Sequence, residues 1–263
     1  MNARGLLALV LAIALLAAAP LAQAGRSCER KLPEARNVER AMTLAEHTAQ
    51  RLDASGAQVV LVARVGQNLS EYGQRYSHFG IAYRDAPGAP WRVAHKLNQC
   101  GTAKAAVYRQ GLGEFFLDDL YDYEAGLVVP SPEIQARLLP ALRDNRRLAQ
   151  LHTPAYSMVA YPWAQTYQQS NQWAIETLAA AQEPSITTRP QAQAWLREHG
   201  YVPDTLHLSA FQRLGARMTA ANVAFDDHPA AKRFTDRIET VTVDSVFRWM
   251  GRSGLGGSIT VVR

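Results

Sequence analysis

The chain has 263 residues, of which 48% are hydrophobic and 19% are charged, and its formal net charge is +5. This length is sufficient to bury a substantial core within one large domain. The arginines are scattered rather than gathered into a stripe, which argues against nucleic-acid binding and favours attraction to anionic envelope surfaces.

The first 24 residues predict a secretory signal peptide. Arg4 precedes an uncharged apolar run over residues 5–19, and small residues ending at Ala24 provide a cleavage site. The run is shorter than the ~20 apolar residues that a spanning helix needs, and no later stretch reaches that length. We therefore expect a periplasmic or secreted mature chain, cleaved near Ala24, without a transmembrane segment.

Two cysteines, Cys28 and Cys100, enter an oxidising compartment if the chain is secreted. Their even number permits one disulfide between the N-terminal segment and the region just after the predicted strand at residues 91–97. The alternative is two unrelated thiols. Cys100 is a poor candidate nucleophile, because a disulfide-bonded sulfur cannot attack and no clear helix start follows it.

The first half of the mature chain predicts a helix leading into a sheet. Residues 37–52 have amphipathic helical periodicity, and residues 58–66 form a β-branched run closed by glycine. Residues 76–82 predict the next strand, a turn follows at residues 85–90, and residues 91–97 predict the hairpin partner.

The second half mixes helices with short strands. Strands are expected at residues 126–130, 155–161, 239–243 and 258–262, and helices are expected to begin at Ser131 and Ser170 and to cover residues 190–198, 207–218 and 244–250. Because βαβ alternation is absent, this order predicts an α+β fold with an antiparallel sheet packed against helices. We expect one domain, residues 25–263, with a C-terminal helical elaboration.

Two distant motifs combine a base with a hydroxyl group. His78 lies on a predicted strand, and Ser170 lies at the predicted start of a helix. A serine is a useful nucleophile only beside a proton acceptor, so the pair suggests acyl-transfer chemistry.

Residues 77–82, Ser-His-Phe-Gly-Ile-Ala, resemble the histidine strand of the circularly permuted papain-like proteins, the group related to NlpC-type cell-wall peptidases and to lecithin retinol acyltransferase. In that group the histidine comes first, a second polar residue follows on a neighbouring strand, and a cysteine nucleophile begins a later helix. His78, His95 and Ser170 reproduce the order, with serine in place of cysteine. The resemblance implies a permuted papain-like fold.

The same resemblance implies a cell-envelope hydrolase or acyltransferase acting on an amide or an ester. Ser170 would be the nucleophile, His78 the general base and His95 the residue that orients it. The substrate would be a peptidoglycan peptide or a lipid acyl group, and no cofactor is expected.

Four further residues are candidates for binding: Asn98, Asn171, Gln172 and Trp173. They belong to segments that resemble, along most of the mature chain, a secreted bacterial family of unknown function. These segments are residues 64–67, 77–78, 97–101 and 170–173.

Each candidate also has a structural explanation. Ser170 is a favoured residue type for capping a helix N-terminus, and His78 or His95 can be a hydrogen-bonded histidine within a sheet. A second hypothesis is therefore a catalytically inactive papain-like scaffold that binds an envelope ligand or a partner protein. A third is an assembly component that buries apolar surface against another chain, and the oligomeric state stays open.

No metal site is expected, because none of the seven histidines forms a pair at i, i+4 spacing. Acidic and aromatic side chains alternate over residues 114–124. They could line a groove for a cationic or sugar-containing ligand, but an exposed face with aromatic rings anchored inward is the favoured interpretation.

Overall fold

The computed structural model describes residues 32–263, which build a six-stranded antiparallel sheet with the strand order β4-β3-β2-β1-β5-β8. The strands are β1 Val59–Val65, β2 His78–Tyr83, β3 Arg92–Asn98, β4 Ala105–Gly111, β5 Asp122–Val128 and β8 Thr260–Val262. A separate two-stranded sheet pairs β6 Asp204–His207 with β7 Arg237–Thr240. The predicted antiparallel sheet packed against helices is confirmed. The finer papain-like architecture is not confirmed.

Helices cover both faces of the six-stranded sheet. They are α1 Ala35–Ala54, α2 Leu112–Phe116, α3 Pro132–Arg143, α4 Asn145–Ala149, α5 Ser170–Gln182, α6 Arg189–Glu198, α7 Ala210–Thr219, α8 Ala230–Arg233 and α9 Val243–Arg252. The Ser131 side chain caps α3, as the sequence predicts, and Pro132 occupies its first turn.

The sheet separates two hydrophobic cores, because successive side chains of a strand point to opposite faces. On one face, called here the α5 face, Leu61 and Ile81 pack with Trp173 of α5. On the other, called the α1 face, Val62 packs with Phe115 and with the apolar side of α1. Strand β1 is buried on both faces, which explains its continuous apolar sequence.

Several element boundaries differ from the prediction. Strands β4 and β6 were not predicted, because both are half-exposed and their apolar residues do not alternate cleanly. Residues 155–161 form no strand, and only an isolated bridge joins Ala155 to Lys104. The helix expected from residue 207 begins at Ala210, because His207 pairs within β6 and Ser209 caps the helix.

The predicted signal peptide and Cys28 lie outside the described residues, so the cleavage site and the Cys28–Cys100 disulfide stay predictions. Within residues 32–263, no helix has both the length and the apolar character required to cross a membrane.

Candidate functional site

The fold brings His78 and His95 into direct contact. They lie on the neighbouring strands β2 and β3, and 2.9 Å separates Nε2 of His78 from Nδ1 of His95. Both side chains point to the α1 face, where the two rings flank Phe115. His95 is fully buried and His78 is half-buried at the end of its strand.

Gly80 makes room for this pair. A Cβ atom at residue 80 would lie 2.5 Å from Cγ1 of Val93 and 3.0 Å from Cβ of His95. Such distances are shorter than carbon–carbon van der Waals contact. The glycine two residues after His78 therefore allows β3 to place the His95 ring beside that of His78.

A chain of hydrogen bonds extends from the histidine pair toward α2. Nε2 of His95 lies 2.7 Å from Oε1 of Gln110, and Nε2 of Gln110 donates to Oε1 of Glu114 over 2.8 Å. An ionised carboxylate only accepts, so the amide of Gln110 must donate to Glu114 and accept from His95. His95 thus carries its proton on Nε2 and accepts from His78 at Nδ1.

The same reasoning fixes the tautomer of His78. If neutral His95 accepts at Nδ1, then His78 must carry its proton on Nε2, which leaves its own Nδ1 unprotonated. Among the described residues, Nδ1 of His78 has no hydrogen-bond partner. The half-buried ring therefore offers a free lone pair.

Both imidazoles are held neutral by their surroundings. Burial lowers the pKa of His95 to about 4, and the positive charge of Arg64 contributes to the shift. Burial likewise lowers the pKa of His78 well below its ordinary value, again with contributions from Arg64 and His95. Neutral rings are what the hydrogen-bond chain requires.

Arg64 is the cross-strand neighbour of His78 on β1. Its guanidinium lies 4.7 Å from the centre of the Phe115 ring, donates to the carbonyl of that residue and pairs with Asp118. These contacts fix the one buried cation beside the histidines in the described part of the chain.

Ser170 is not brought to His78. Helix α5 packs on the opposite face of the sheet, where Phe79 points, and Ser170 is its first residue, with Gln169 in the cap position. The Ser170 side chain lies beside Tyr156, whose pKa is raised by burial. The expected contact between the hydroxyl of Ser170 and a ring nitrogen of His78 is absent from the described structure, and Nε2 of His78 is bonded to His95 instead.

The other predicted binding residues lie in packed surroundings. Asn98 donates to the carbonyls of Thr102 and Lys104, both over 2.8 Å, and thereby closes the β3–β4 hairpin. Asn171 accepts from the backbone N–H of Phe79 over 3.3 Å.

The two residues after Asn171 are also packed inward. Gln172 donates to the carbonyl of Pro162 over 3.0 Å, and Trp173 is fully buried in the α5-face core. None of the four predicted binding residues contacts the histidine pair through a hydrogen bond in residues 32–263, so their role in binding stays a prediction.

Lys96, next to His95 in sequence, is fully buried on the α5 face. Its ammonium donates to the carbonyls of Thr153 and Gln168, each over 2.7 Å, and to the side chain of Gln168. Burial lowers its pKa to about 7. Gln168 also contacts Glu176, which forms a buried 2.9 Å ion pair with Arg189. This network anchors the segment that precedes α5.

Residues 114–124 agree with the structural interpretation in their two phenylalanines, but Tyr121 is 60% exposed. Phe115 and Phe116 are fully buried, and Glu124 is buried between Arg75 and Arg263. The hydrogen bond from Arg75 is the main cause that lowers the pKa of Glu124 to about 2. Within residues 32–263, no cluster of three or more His, Cys, Asp or Glu side chains is arranged to hold a metal ion.

Sequence reasoning identified the histidine pair but missed Arg64, Gln110 and Glu114. A usable signal existed for Arg64, because a charged residue within a β-branched run that is buried on both faces must have a partner. Gln110 and Glu114 gave no comparable signal, since β4 and α2 were not predicted.

The comparisons with known proteins give a family and no activity. No curated protein and no solved structure matches this chain. Residues 51–250 match the model of a family described as an uncharacterized protein conserved in bacteria (DUF2145). This segment includes both histidines, the six-stranded sheet except its last strand, and helix α5. The chain therefore belongs to this uncharacterised bacterial family.

Proposed function

We propose that this chain is a ligand-binding protein of the bacterial cell envelope, in which His78 holds its ligand by a hydrogen bond without chemical turnover. The envelope location rests on the predicted signal peptide. The proposal treats the papain-like resemblance as one of scaffold: His78 on β2, His95 on β3 and helix α5 follow one another as in the permuted group, but the histidines face away from the helix.

The observation that carries the proposal is the free acceptor at Nδ1 of His78. The chain from His78 through His95 and Gln110 to Glu114 has hydrogen bonds of 2.9, 2.7 and 2.8 Å. It fixes the tautomer and the orientation of the His78 ring before any ligand arrives. A preorganised acceptor binds with little loss of side-chain entropy.

Turnover is disfavoured by the surroundings of Ser170. The hydroxyl group of a nucleophilic serine needs a base within about 2.6–3.2 Å, with some tolerance in an unliganded protein. Its neighbour Tyr156 has a raised pKa and is a neutral phenol at pH 7, which is not a base. Lys96, the nearby amine, directs its donors to three oxygen atoms of Thr153 and Gln168.

The chemistry of the acceptor narrows the choice between the two envelope ligands. A peptidoglycan peptide carries amide N–H donors along its whole length, whereas a lipid acyl chain carries none. An unprotonated imidazole nitrogen accepts from an amide or a hydroxyl donor. The ligand class that fits His78 is therefore the peptide.

The proposal is tested by adding a synthetic peptidoglycan stem tetrapeptide to the purified mature protein labelled with 15N-histidine. We expect the Nδ1 resonance of His78 to shift as this nitrogen accepts a hydrogen bond. A His78→Phe variant should bind about tenfold more weakly, which corresponds to one lost hydrogen bond. The exposed His207 provides the matched control, since His207→Phe should leave the affinity unchanged. An unshifted His78 resonance at saturating peptide, or equal affinity of a folded His78→Phe variant, would refute the proposal.

Labelling with a fluorophosphonate separates binding from catalysis. We expect no adduct on the folded wild-type chain by intact mass. An adduct mapped to Ser170, and lost in both Ser170→Ala and His78→Ala, would instead establish an activated serine and the hydrolase or acyltransferase hypothesis.

A further inference from the structure

Helix α7, Ala210–Thr219, is a ten-residue helix without a single buried residue. It follows β6 and is fastened at its N-terminus by a capping box between Ser209 and Gln212. The guanidinium of Arg213 also donates to the carbonyl of Arg233, which ties the helix to the segment before β7. The capping box and this hydrogen bond fasten the helix, but none of its residues is buried.

The exposed side of α7 is strongly apolar. Phe211 is 87% exposed, Met218 is 77% exposed and Leu214 is 57% exposed. Their i, i+3, i+7 spacing places all three within an arc of about 60° at 3.6 residues per turn. Phe234, in the adjacent segment, is 76% exposed. A cluster of large apolar side chains exposed to this degree marks an interaction surface.

The charge around this surface has one sign on the helix itself. Arg213 and Arg217 are the charged residues of α7, and residues 205–225 contain no acidic side chain. The adjacent segment adds Lys232, Arg233 and Arg237. Of the acidic groups nearby, Glu239 is paired with Lys232, Asp236 is hydrogen-bonded to His207, and Asp226 accepts a hydrogen bond from Tyr167. The surface is therefore apolar at its centre and basic at its margin.

A water-exposed helix of ten residues is marginally stable without tertiary packing. A helix with one apolar side and arginines beside it is typical of segments that lie in the interface of a bilayer, with the apolar side chains about 5–10 Å into the headgroup boundary. Lipid phosphates would bind the arginines, and acyl chains would pack against the ring of Phe211 and the thioether of Met218.

We propose that α7 docks this protein on an anionic lipid bilayer, with Phe211, Leu214 and Met218 inserted and Arg217 at the phosphates. The inference is independent of the ligand at His78, which lies on the other, six-stranded sheet. It assigns the protein to the membrane surface of the envelope rather than to its aqueous space.

The test is flotation of the purified mature chain with vesicles of phosphatidylglycerol and phosphatidylethanolamine. The mature chain is used because the apolar run of the predicted signal peptide would itself bind lipid. We expect flotation with these vesicles, weaker flotation in high salt, and none with phosphatidylcholine alone.

Two variants distinguish vesicle binding through α7 from nonspecific adsorption of exposed apolar residues. Replacing Phe211 and Met218 together by serine should weaken vesicle affinity by at least about tenfold, because both apolar side chains lose their burial in lipid. Ile259→Ser is the matched control, since residue 259 is also exposed and apolar but precedes the edge strand β8. None of the three changed residues is buried, so both proteins should fold.

Three results would overturn the proposal. They are equal flotation of the double serine variant, equal binding to neutral vesicles, and wild-type protein that stays with the aqueous fraction while forming a dimer that the double variant cannot form. The last result would show that a second copy covers α7.

Discussion

Acidification should lower the free energy of unfolding through His95. In a His95→Gln variant, the part of this decrease that His95 causes should be absent. The pKa of His95 falls from 6.5 to about 4 on folding, chiefly because the neutral ring is buried. Between pH 6.5 and about 4, His95 therefore binds a proton in the unfolded chain but stays neutral in the folded chain. Stability from this group is present at pH 7.5, decreases as the pH falls through 6.5, and is fully lost below about pH 4.

The magnitude follows from the shift. A difference of one pKa unit is worth about 1.4 kcal/mol, so the complete shift from 6.5 to about 4 corresponds to about 3.4 kcal/mol. At pH 5 only the part between 6.5 and 5 has been lost, which amounts to about 2 kcal/mol. Glu124, with a pKa of about 2, does not titrate in this range, and Asp244, whose pKa is raised by burial, is present in both proteins compared below.

Urea unfolding followed by tryptophan fluorescence would measure this effect at pH values from 7.5 to 5. The wild-type free energy of unfolding should fall by about 2 kcal/mol more than that of the His95→Gln variant. His78 and His152 also have lowered pKa values, but both residues are present in the two proteins, so their shared contributions cancel from the difference. Glutamine retains an acceptor for Nε2 of His78. Parallel pH profiles for the two proteins would refute the conclusion that His95 is buried in its neutral form.

Three further changes probe the site and its supports. Glu176→Gln should lower the free energy of unfolding by about 3–5 kcal/mol in urea titrations, because Arg189 would keep a buried charge without a counter-charge. A decrease below about 1 kcal/mol would contradict the buried ion pair. Gly80→Ala should lower the free energy of unfolding by about 1–3 kcal/mol and shift the NMR resonances of His95, because the added methyl group contacts β3. Unchanged His95 resonances would show that β3 moves away without disturbing the ring. Ser209→Ala should raise the rate of amide hydrogen exchange within α7 alone, because this helix has no buried side. Exchange rates that rise equally throughout the chain would indicate that the cap supports the whole fold.

The sequence predicted the elements whose patterns reflect burial. Strand β1 is a continuous β-branched run because both of its faces are covered, and helix α3 shows its start in Ser131 and its buried side in Ile134, Leu138 and Leu142. Strand β4 left no such pattern. It lies at the sheet edge, so half-exposed positions accept Tyr108 and Arg109 as readily as apolar residues.

The candidate site was predictable as a pair of histidines on adjacent strands, but not as a trio with Ser170. Chain order shows that β2, β3 and α5 can be neighbours, yet it does not show which face of the sheet the helix covers. The helix covers the face whose side chains form the larger core. Trp173 of α5 packs in the core that contains Phe79, so the helix lies on the face opposite to His78. The buried Lys96 network is likewise a product of tertiary packing.

His95 and Lys96 are consecutive residues whose side chains enter different cores. A shift of β3 by one position would exchange the faces of the two side chains: the ammonium group would enter the core that contains Phe115, and the imidazole would enter the core on the α5 face. Each exchange would leave polar atoms unsatisfied in the interior, so the alignment of β3 is enforced from both sides at once. Chain-length variation should therefore be tolerated in the turn at residues 85–90 and excluded from the strand that follows it.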